Sequence, residues 1–285
     1  MHIAKLSLNR GTLLIVLAAV LMVVAFWLSP WEDADDWETF YYAARRLVAA
    51  DQPLYDTMIT ENYYSNPPWL AAAIVPVTVL PPKFGWALLS AATLAIALLL
   101  LRRWAAAPGI VRMVAVLASP PMMYILLHGQ IDVVIIGAVL LPAWVWPVAA
   151  ITKPQVAIGL LFGIPRRHWL RAALFTGALL AISFLLWGFW PAEVIRQPKP
   201  FVGAGHNLWA GLWPFQVPMG VLLLALGVSR KDERFLIAGS PFLSPYAALS
   251  TLIGPWIAAV SFLKPWQTLL VLASWWGAVV YRLVA

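Results

Sequence analysis

The sequence predicts an all-α polytopic membrane protein, a bundle of about 9–11 transmembrane helices. The first observation is composition, because 62% of the 285 residues are hydrophobic and only 11% are charged. Soluble domains carry about 25% charged residues, so this chain has too little charge to cover a water-exposed surface. The second observation is a series of apolar runs, several of them near the roughly 20 residues that span a bilayer. We expect residues 1–285 to form a single transmembrane domain.

Cysteine usage and net charge exclude several classes of protein. The chain has no cysteine, which excludes disulfides, thiolate metal sites and a cysteine nucleophile. The net charge of +7 is typical of Lys and Arg in cytoplasmic loops, and we expect no nucleic-acid partner. No Walker loop, dinucleotide fingerprint, HExxH motif or serine-nucleophile elbow is present, so no nucleotide-binding domain is expected.

The first predicted span covers residues 12–29 and is preceded by Lys5 and Arg10. The positive-inside rule then places the N-terminus in the cytoplasm. This run is too long for a signal-peptide core and no cleavage site follows it, so we expect it to be retained. Residues 30–68 become a first outer loop, and this loop holds eight of the 12 acidic residues.

Two elements are expected around this outer loop. Residues 37–50 place Phe40, Tyr41 and Ala44 at three- and four-residue spacing, which predicts an amphipathic helix on the membrane surface. The apolar run 69–80 is too short to span and is interrupted by Pro76, so we interpret it as interfacial or re-entrant.

The rest of the chain alternates apolar runs with basic turns, which are expected in the cytoplasm. Further spans are predicted at 84–101, 110–127, 170–190, 208–228 and 266–283, with an out-and-back pair at 235–263 and a second outer loop at 191–207. Between 133 and 164, prolines predict three short, broken helices. Breaks at membrane depth are tolerated where the backbone lines a cavity, which favours an internal cavity here.

This topology brings five polar features to the outer side. They are the acidic loop, the turn 128–132 (HGQID), Lys153, the second outer loop and the break 240–246 (SPFLSPY). An ionisable residue near membrane depth is costly, and it is therefore a functional-site hypothesis by default.

Asp35, Asp36 and Lys153 are the leading candidates for chemistry. Either aspartate could cap the helix that follows, or act as a general base on an acceptor hydroxyl. The Lys153 ammonium could reach the interface by snorkelling, or pair with a phosphate as a compact charge.

Each of the other candidates has a structural interpretation as well as a functional one. Arg196, Lys199 and His206 are either solvated loop residues or part of an anion site, and Asp132 is either a cap or a second carboxylate. Tyr41, like the other paired tyrosines, is an interfacial anchor or a platform for a sugar ring. No ligand spacing demands a metal, so no cofactor is assigned, although the loop carboxylates permit a divalent ion.

Four motifs in order resemble a known family over residues 12–262. They are the first outer loop (DWETFYYAAR at 36–45, QPLYD at 52–56, NPP at 66–68), the GQ of 128–132, Lys153-Pro154, and the SPFLSPY break. This arrangement looks like the GT-C superfamily and most resembles glycosyltransferase family 87, also known as domain of unknown function 2029.

The resemblance implies a transferase of a hexosyl or pentosyl group, often a mannosyltransferase. Such enzymes take a sugar from a polyprenyl-phosphate donor and pass it, with inversion, to a glycan or glycolipid acceptor at the outer face of a bacterial-type plasma membrane. By position, Asp36 (or Asp35) would be the base and Lys153 would bind the donor phosphate. Arg196 and Lys199 are further phosphate candidates without a firm motif match. The substrate-binding candidates are Tyr41, Gln130, Asp132, His206 and Tyr246.

The chain departs from the family in being short, in a compressed region 133–165, and in offering only Tyr246 at the late break. Two other functions therefore stay open. A transporter or lipid flippase also uses broken helices with buried charge, although no internal repeat is evident. A non-catalytic subunit of a membrane assembly would co-purify with a stoichiometric partner.

Overall fold

The fold is described by a computed structural model over residues 24, 34–49, 53–55, 57–60, 62–105, 108–197 and 207–284. Across these residues the chain is helical and has no strand, which confirms the all-α prediction. Apart from Val24, the predicted first span 12–29 lies outside the described residues. The α-helices that follow residue 34 are α1 (Asp35–Ala49), α2 (Pro68–Ile74), α3 (Pro82–Trp104), α4 (Ile110–Leu117), α5 (Pro120–His128), α6 (Asp132–Ile136), α7 (Trp146–Thr152), α8 (Pro154–Ala157), α9 (Trp169–Trp187), α10 (Trp190–Arg196), α11 (Val217–Arg230), α12 (Glu233–Gly239), α13 (Ile253–Phe262) and α14 (Pro265–Val284).

Two helical stretches among the described residues are long and apolar enough to cross a membrane. They are Pro82–Trp104 and Arg166–Trp187, and they match the predicted spans 84–101 and 170–190. Only 11% of the second stretch is buried inside the protein, and it exposes Leu174, Ile182 and Leu185. An apolar helix this exposed is consistent with lipid contact. The total of about 9–11 crossings stays a prediction.

Two other predicted spans are not continuous. The run 110–127 forms α4 and α5, which are bent by 48° relative to each other. The break falls at Ser119-Pro120, where the serine hydroxyl accepts from Met122 N and caps α5, since proline cannot donate to the preceding turn. The run 208–228 becomes helical only at Val217.

The surface helix predicted for 37–50 is present as α1, but its apolar face is buried in protein. The Trp37 indole donates to the Pro82 carbonyl at 2.7 Å, and the Tyr41 hydroxyl donates to the carbonyls of Leu80 (2.8 Å) and Thr78 (3.2 Å). These bonds tie α1 to the link between α2 and α3. The acidic first turn of α1 is therefore held at a defined place on the helical core.

The region 133–164 is broken more finely than the three helices that the prolines predict. It runs through α6, α7 and α8, joined and followed by 3₁₀ segments at Gly137–Leu140, Ala143–Val145 and Ile158–Gly163. The late break is also present, because the chain passes from α12 into a 3₁₀ turn at Ser240–Leu243, then through a non-helical stretch into a second 3₁₀ turn at Leu249–Leu252 before α13. The break at Lys153 brings its side chain to Gln130 and Asp132.

Candidate functional site

Four side chains from separate parts of the chain converge at the first turn of α1. The Gln130 amide donates from Nε2 to Asp36 Oδ2 at 2.5 Å. Lys153 Nζ donates to Gln130 Oε1 and to Asp132 Oδ2, each at 2.6 Å. We call Asp36, Gln130, Asp132 and Lys153 the polar cluster. The sequence predicts all four as site residues, and the structure brings them together.

Asp36 reaches the polar cluster because α1 begins immediately before it. Asp35, Asp36 and Glu38 all lie in the first turn, where the helix dipole favours negative charge. The Asp36 carboxylate accepts its hydrogen bond from Gln130, and this contact joins α1 to the end of α5.

Gln130 is aimed at Asp36 by the way α5 ends. Gly129 adopts the left-handed conformation (φ 66°, ψ 39°), and Gln130 N donates back to the Ile125 carbonyl. A glycine in this conformation is a common helix terminator because it has no Cβ. The turn then carries Gln130 across to α1 and leads directly into α6, which begins at Asp132.

Lys153 lies in the gap between α7 and α8. Its backbone (φ −146°, ψ 81°) leaves the helical region, because Pro154 disfavours a helical conformation in the residue before it. Lys153 is only 9% exposed and Asp132 is fully buried, so the two form a buried ion pair. Within the described part of the chain, Asp132 Oδ1 has no hydrogen-bond partner. Lys153 is therefore the main compensation for the Asp132 charge.

The net charge of the polar cluster mainly affects the ionisation of Asp36. With two carboxylates and one ammonium, the fully ionised cluster carries one excess negative charge, and Lys153 bonds Asp132 directly but reaches Asp36 only through Gln130. Burial raises the pKa of Asp36 above its usual range, although the charges of Lys153 and His128 oppose this rise. Asp36 is thus suited to accept a proton.

Aromatic and polar groups line the rim beside Asp36. The His128 ring stacks on Tyr124 with centroids 4.2 Å apart, and His128 Nδ1 lies 4.0 Å from Asp35 Oδ2. Burial, followed by the charges of Tyr124, Asp36 and Asp132, raises the pKa of the Tyr246 phenol. The role of Tyr246 as a substrate contact stays a prediction.

Several predicted site residues lie elsewhere. Tyr41 is 3% exposed with its hydroxyl bonded to two backbone carbonyls, so it holds α1 in place rather than facing the polar cluster. The exposed Arg196 side chain pairs locally with Glu193 at 3.1 Å and is not part of the cluster. Lys199 and His206 lie outside the described residues. Among the described residues, no group of three or more His, Asp or Glu side chains is arranged to hold a metal ion.

Sequence reasoning missed a buried amide that joins the two predicted outer loops. Gln197 donates to the carbonyls of Tyr55 (2.9 Å) and Tyr64 (3.0 Å) and accepts from the Ser65 hydroxyl at 2.9 Å. A lone glutamine in a polar stretch gives no sequence signal for this role. Sequence reasoning also missed a second contact, in which the Trp69 indole donates to the hydroxyl of Thr152, the residue before Lys153, at 2.9 Å.

Comparisons of the chain with protein-family models, with curated proteins and with solved structures gave no match. The case for a function therefore rests on the residues of the polar cluster and on the motif order along the sequence.

Replacing Gly129 with alanine is expected to separate the end of α5 from α1. A Cβ at residue 129 would lie 2.4 Å from the Trp37 Cβ and 3.2 Å from the Trp37 backbone, and φ is +66°. Overlap with backbone and Cβ atoms cannot be relieved by a rotamer change. We expect a clear loss of thermal stability in detergent, together with loss of any activity that needs Gln130 beside Asp36.

Gly188→Ala is the matched control. Gly188 also has a positive φ of +67°, at ψ −169°, but a Cβ there meets no atom within 4 Å. That backbone region is at least as unfavourable for alanine. A larger drop in melting temperature for Gly129→Ala than for Gly188→Ala is therefore due to the clash with Trp37. Equal melting temperatures for the two variants would contradict the close packing of the turn on α1.

Proposed function

We propose that this chain is a membrane-embedded glycosyltransferase that takes a sugar from a polyprenyl-phosphate donor. The observation that carries the proposal is the chain of contacts from Asp36 through Gln130 to Lys153. It puts a partly buried carboxylate and a buried ammonium on the two sides of one amide. Inverting transfer from a phosphate donor needs such a pair, namely a base for the acceptor and a cation for the leaving group.

In the proposed reaction the acceptor hydroxyl gives its proton to Asp36 as its oxygen attacks the anomeric carbon. The bond between that carbon and the phosphate oxygen breaks, and the polyprenyl phosphate leaves with the electron pair. The ammonium of Lys153 has three N–H donors and uses two of them on Gln130 and Asp132. We assign the third to the leaving phosphate.

Gln130 and Asp132 act in this mechanism by positioning. The Gln130 amide can satisfy Asp36 and Lys153 together in only one orientation, with Nε2 toward the carboxylate and Oε1 toward the ammonium. Asp132 fixes the other side of Lys153. Both residues are thus assigned to hold catalytic groups, where the sequence alone suggests substrate binding. Tyr246 stays a proposed substrate contact.

The apolar character of the chain supports a lipid-linked donor. The exposed apolar stretch Arg166–Trp187 and the motif order both favour a protein in the bilayer. We propose that the chain crosses the membrane several times, with its N-terminus in the cytoplasm and its site at the outer face. The proposed acceptor is a glycan or glycolipid. The proposed transferred group is a mannosyl or related hexosyl or pentosyl group.

The direct test is incubation of the purified full chain in liposomes with a panel of polyprenyl-phosphate sugars and mixed membrane glycolipids, scored by mass spectrometry. We expect one donor to give an acceptor heavier by one sugar residue, with free polyprenyl phosphate released. If no member of the panel gives product, the assignment is wrong.

The pH dependence of transfer tests the role of Asp36. The base must be ionised, so activity rises as pH increases through its pKa, and burial raises that pKa above the ordinary value of 3.8. We therefore expect an acidic limb in kcat/KM at higher pH than an unperturbed aspartate would give. An acidic limb at or below the ordinary value would remove Asp36 as the base.

Transport is the second candidate function, favoured by the buried Lys153–Asp132 pair beside broken helices. Counterflow of a labelled solute or lipid in liposomes, without a covalent product, would favour it over transfer. Asp36→Asn should then affect movement of the solute rather than product formation.

A further inference from the structure

The turn after α5 docks on the first turn of α1 at three consecutive positions. His128 faces Asp35 with Nδ1 4.0 Å from Oδ2, Gly129 packs on Trp37, and Gln130 bonds Asp36. Gln130 belongs to the proposed reaction. His128 does not, although it lies two residues before Gln130 on the same turn.

Exposure increases from the polar cluster toward His128. Asp132 and Lys153 are buried, with side chains 0% and 10% exposed, whereas the side chains of His128 and Asp35 are 37% and 57% exposed. A proton accepted by the partly buried Asp36 must leave before the next turnover, and His128 is more exposed to water than Lys153 or Asp132.

The imidazole of His128 is held on two sides. Its ring stacks on Tyr124, and Nδ1 points toward the Asp35 carboxylate. The separation of 4.0 Å between Nδ1 and Oδ2 is an ion-pair distance rather than a hydrogen bond. His128 is also the last residue of α5, directly before the Gly129 turn.

We propose that His128 carries the proton from Asp36 to water in each turnover, a step that rests on the proposed transferase function. The acceptor hydroxyl first gives its proton to Asp36. The imidazole then takes that proton from the Asp36 carboxylic acid, which restores the carboxylate, and the imidazolium releases it to water.

The register of the docked turn carries this assignment. His128 faces Asp35 and Gln130 bonds Asp36, so the imidazole and the proposed base belong to two adjacent contacts between the same turn and the same helix end. The other groups in electrostatic range of Asp36 are Lys153, Asp132, Tyr124 and Tyr246, and these are shared by any mechanism at this site. His128 is thus a positioning and proton-carrying residue that acts through Asp36.

The test compares His128→Ala and His128→Gln with the wild-type chain in the same transfer assay. We expect kcat to fall about tenfold or more with KM for the donor nearly unchanged, since proton transfer by a positioned group contributes about 10²–10⁴-fold. Added imidazole should restore much of the lost rate in His128→Ala. The rescued rate should follow the free-base fraction of the added imidazole as pH changes.

The control is His168→Ala, which removes an imidazole from the Arg166–His168 turn, outside the polar cluster. It should keep wild-type kcat and show no response to imidazole. Wild-type kcat in both His128 variants, or a lost rate that imidazole does not restore in either, overturns the role of His128. An inactive wild type instead overturns the transferase itself, so the two failures are distinguishable.

Discussion

Asp36→Asn is expected to lower the turnover for sugar transfer by about 10²–10⁴-fold while leaving the melting temperature close to that of the wild type. Asparagine has the shape of aspartate, and its side-chain oxygen can still accept the Gln130 amide that now bonds Asp36 Oδ2. It cannot accept a proton at neutral pH. The measurement is initial-rate transfer with a saturating lipid-linked donor, paired with thermal unfolding in detergent.

Asp35→Asn is the adjacent comparison, and it also decides between the two aspartates that the sequence offers as a base. Asp35 is 57% exposed and lies opposite His128 rather than Gln130, so its replacement should cost much less activity than that of Asp36. Full transfer by well-folded Asp36→Asn protein, or a larger loss at Asp35, would rule out the assignment of Asp36.

The helical class and some of the breaks of this chain were predictable because they depend on local physics. Apolar runs without charge predict long helices, and Pro154 predicts the interruption that the structure shows at Lys153. The break at Ser119-Pro120 lies inside the predicted span 110–127 and was missed. The extent of each break was less predictable. The run 208–216 is apolar enough to belong to a span, but it forms turns before α11 begins.

The polar cluster was predictable as a set of residues but not as a network. The topology predicted from the basic turns puts Asp36, the 128–132 turn and Lys153 on one side, and an ionisable residue near membrane depth is a functional-site hypothesis because it is costly. The sequence pattern does not reveal that Gln130 bridges Asp36 and Lys153, because these contacts depend on the left-handed turn at Gly129.

Two residues show the limit of motif-based assignment in this chain. Tyr41 lies in the aromatic run that carries the resemblance, but its hydroxyl bonds the carbonyls of Thr78 and Leu80. Gln197 lies in no motif, but it joins two loops through buried hydrogen bonds. A sequence pattern identifies which residues are polar or aromatic, whereas their partners depend on tertiary packing.

Lys153→Met is expected to destabilise the protein by about 3–5 kcal/mol, because it leaves Asp132 as a buried carboxylate without a cation. Asp132 is fully buried, its Oδ2 is bonded by Lys153, and its Oδ1 has no hydrogen-bond partner within the described part of the chain. Transfer should also fall by about 10²–10³-fold through loss of charge beside the leaving phosphate. The exposed Lys264 supplies the matched control, and Lys264→Met should alter neither quantity.

The double variant Lys153→Met/Asp132→Asn separates the two roles of Lys153. Removing both charges takes away the uncompensated carboxylate, so most of the lost stability should return. If the double variant is stable and still inactive, the ammonium acts on the reaction as well as on Asp132. If activity returns with stability, Lys153 serves only to neutralise Asp132, and the leaving phosphate must be bound by another cation. The proposed mechanism requires the first result, because Lys153 is the cation within the described polar cluster.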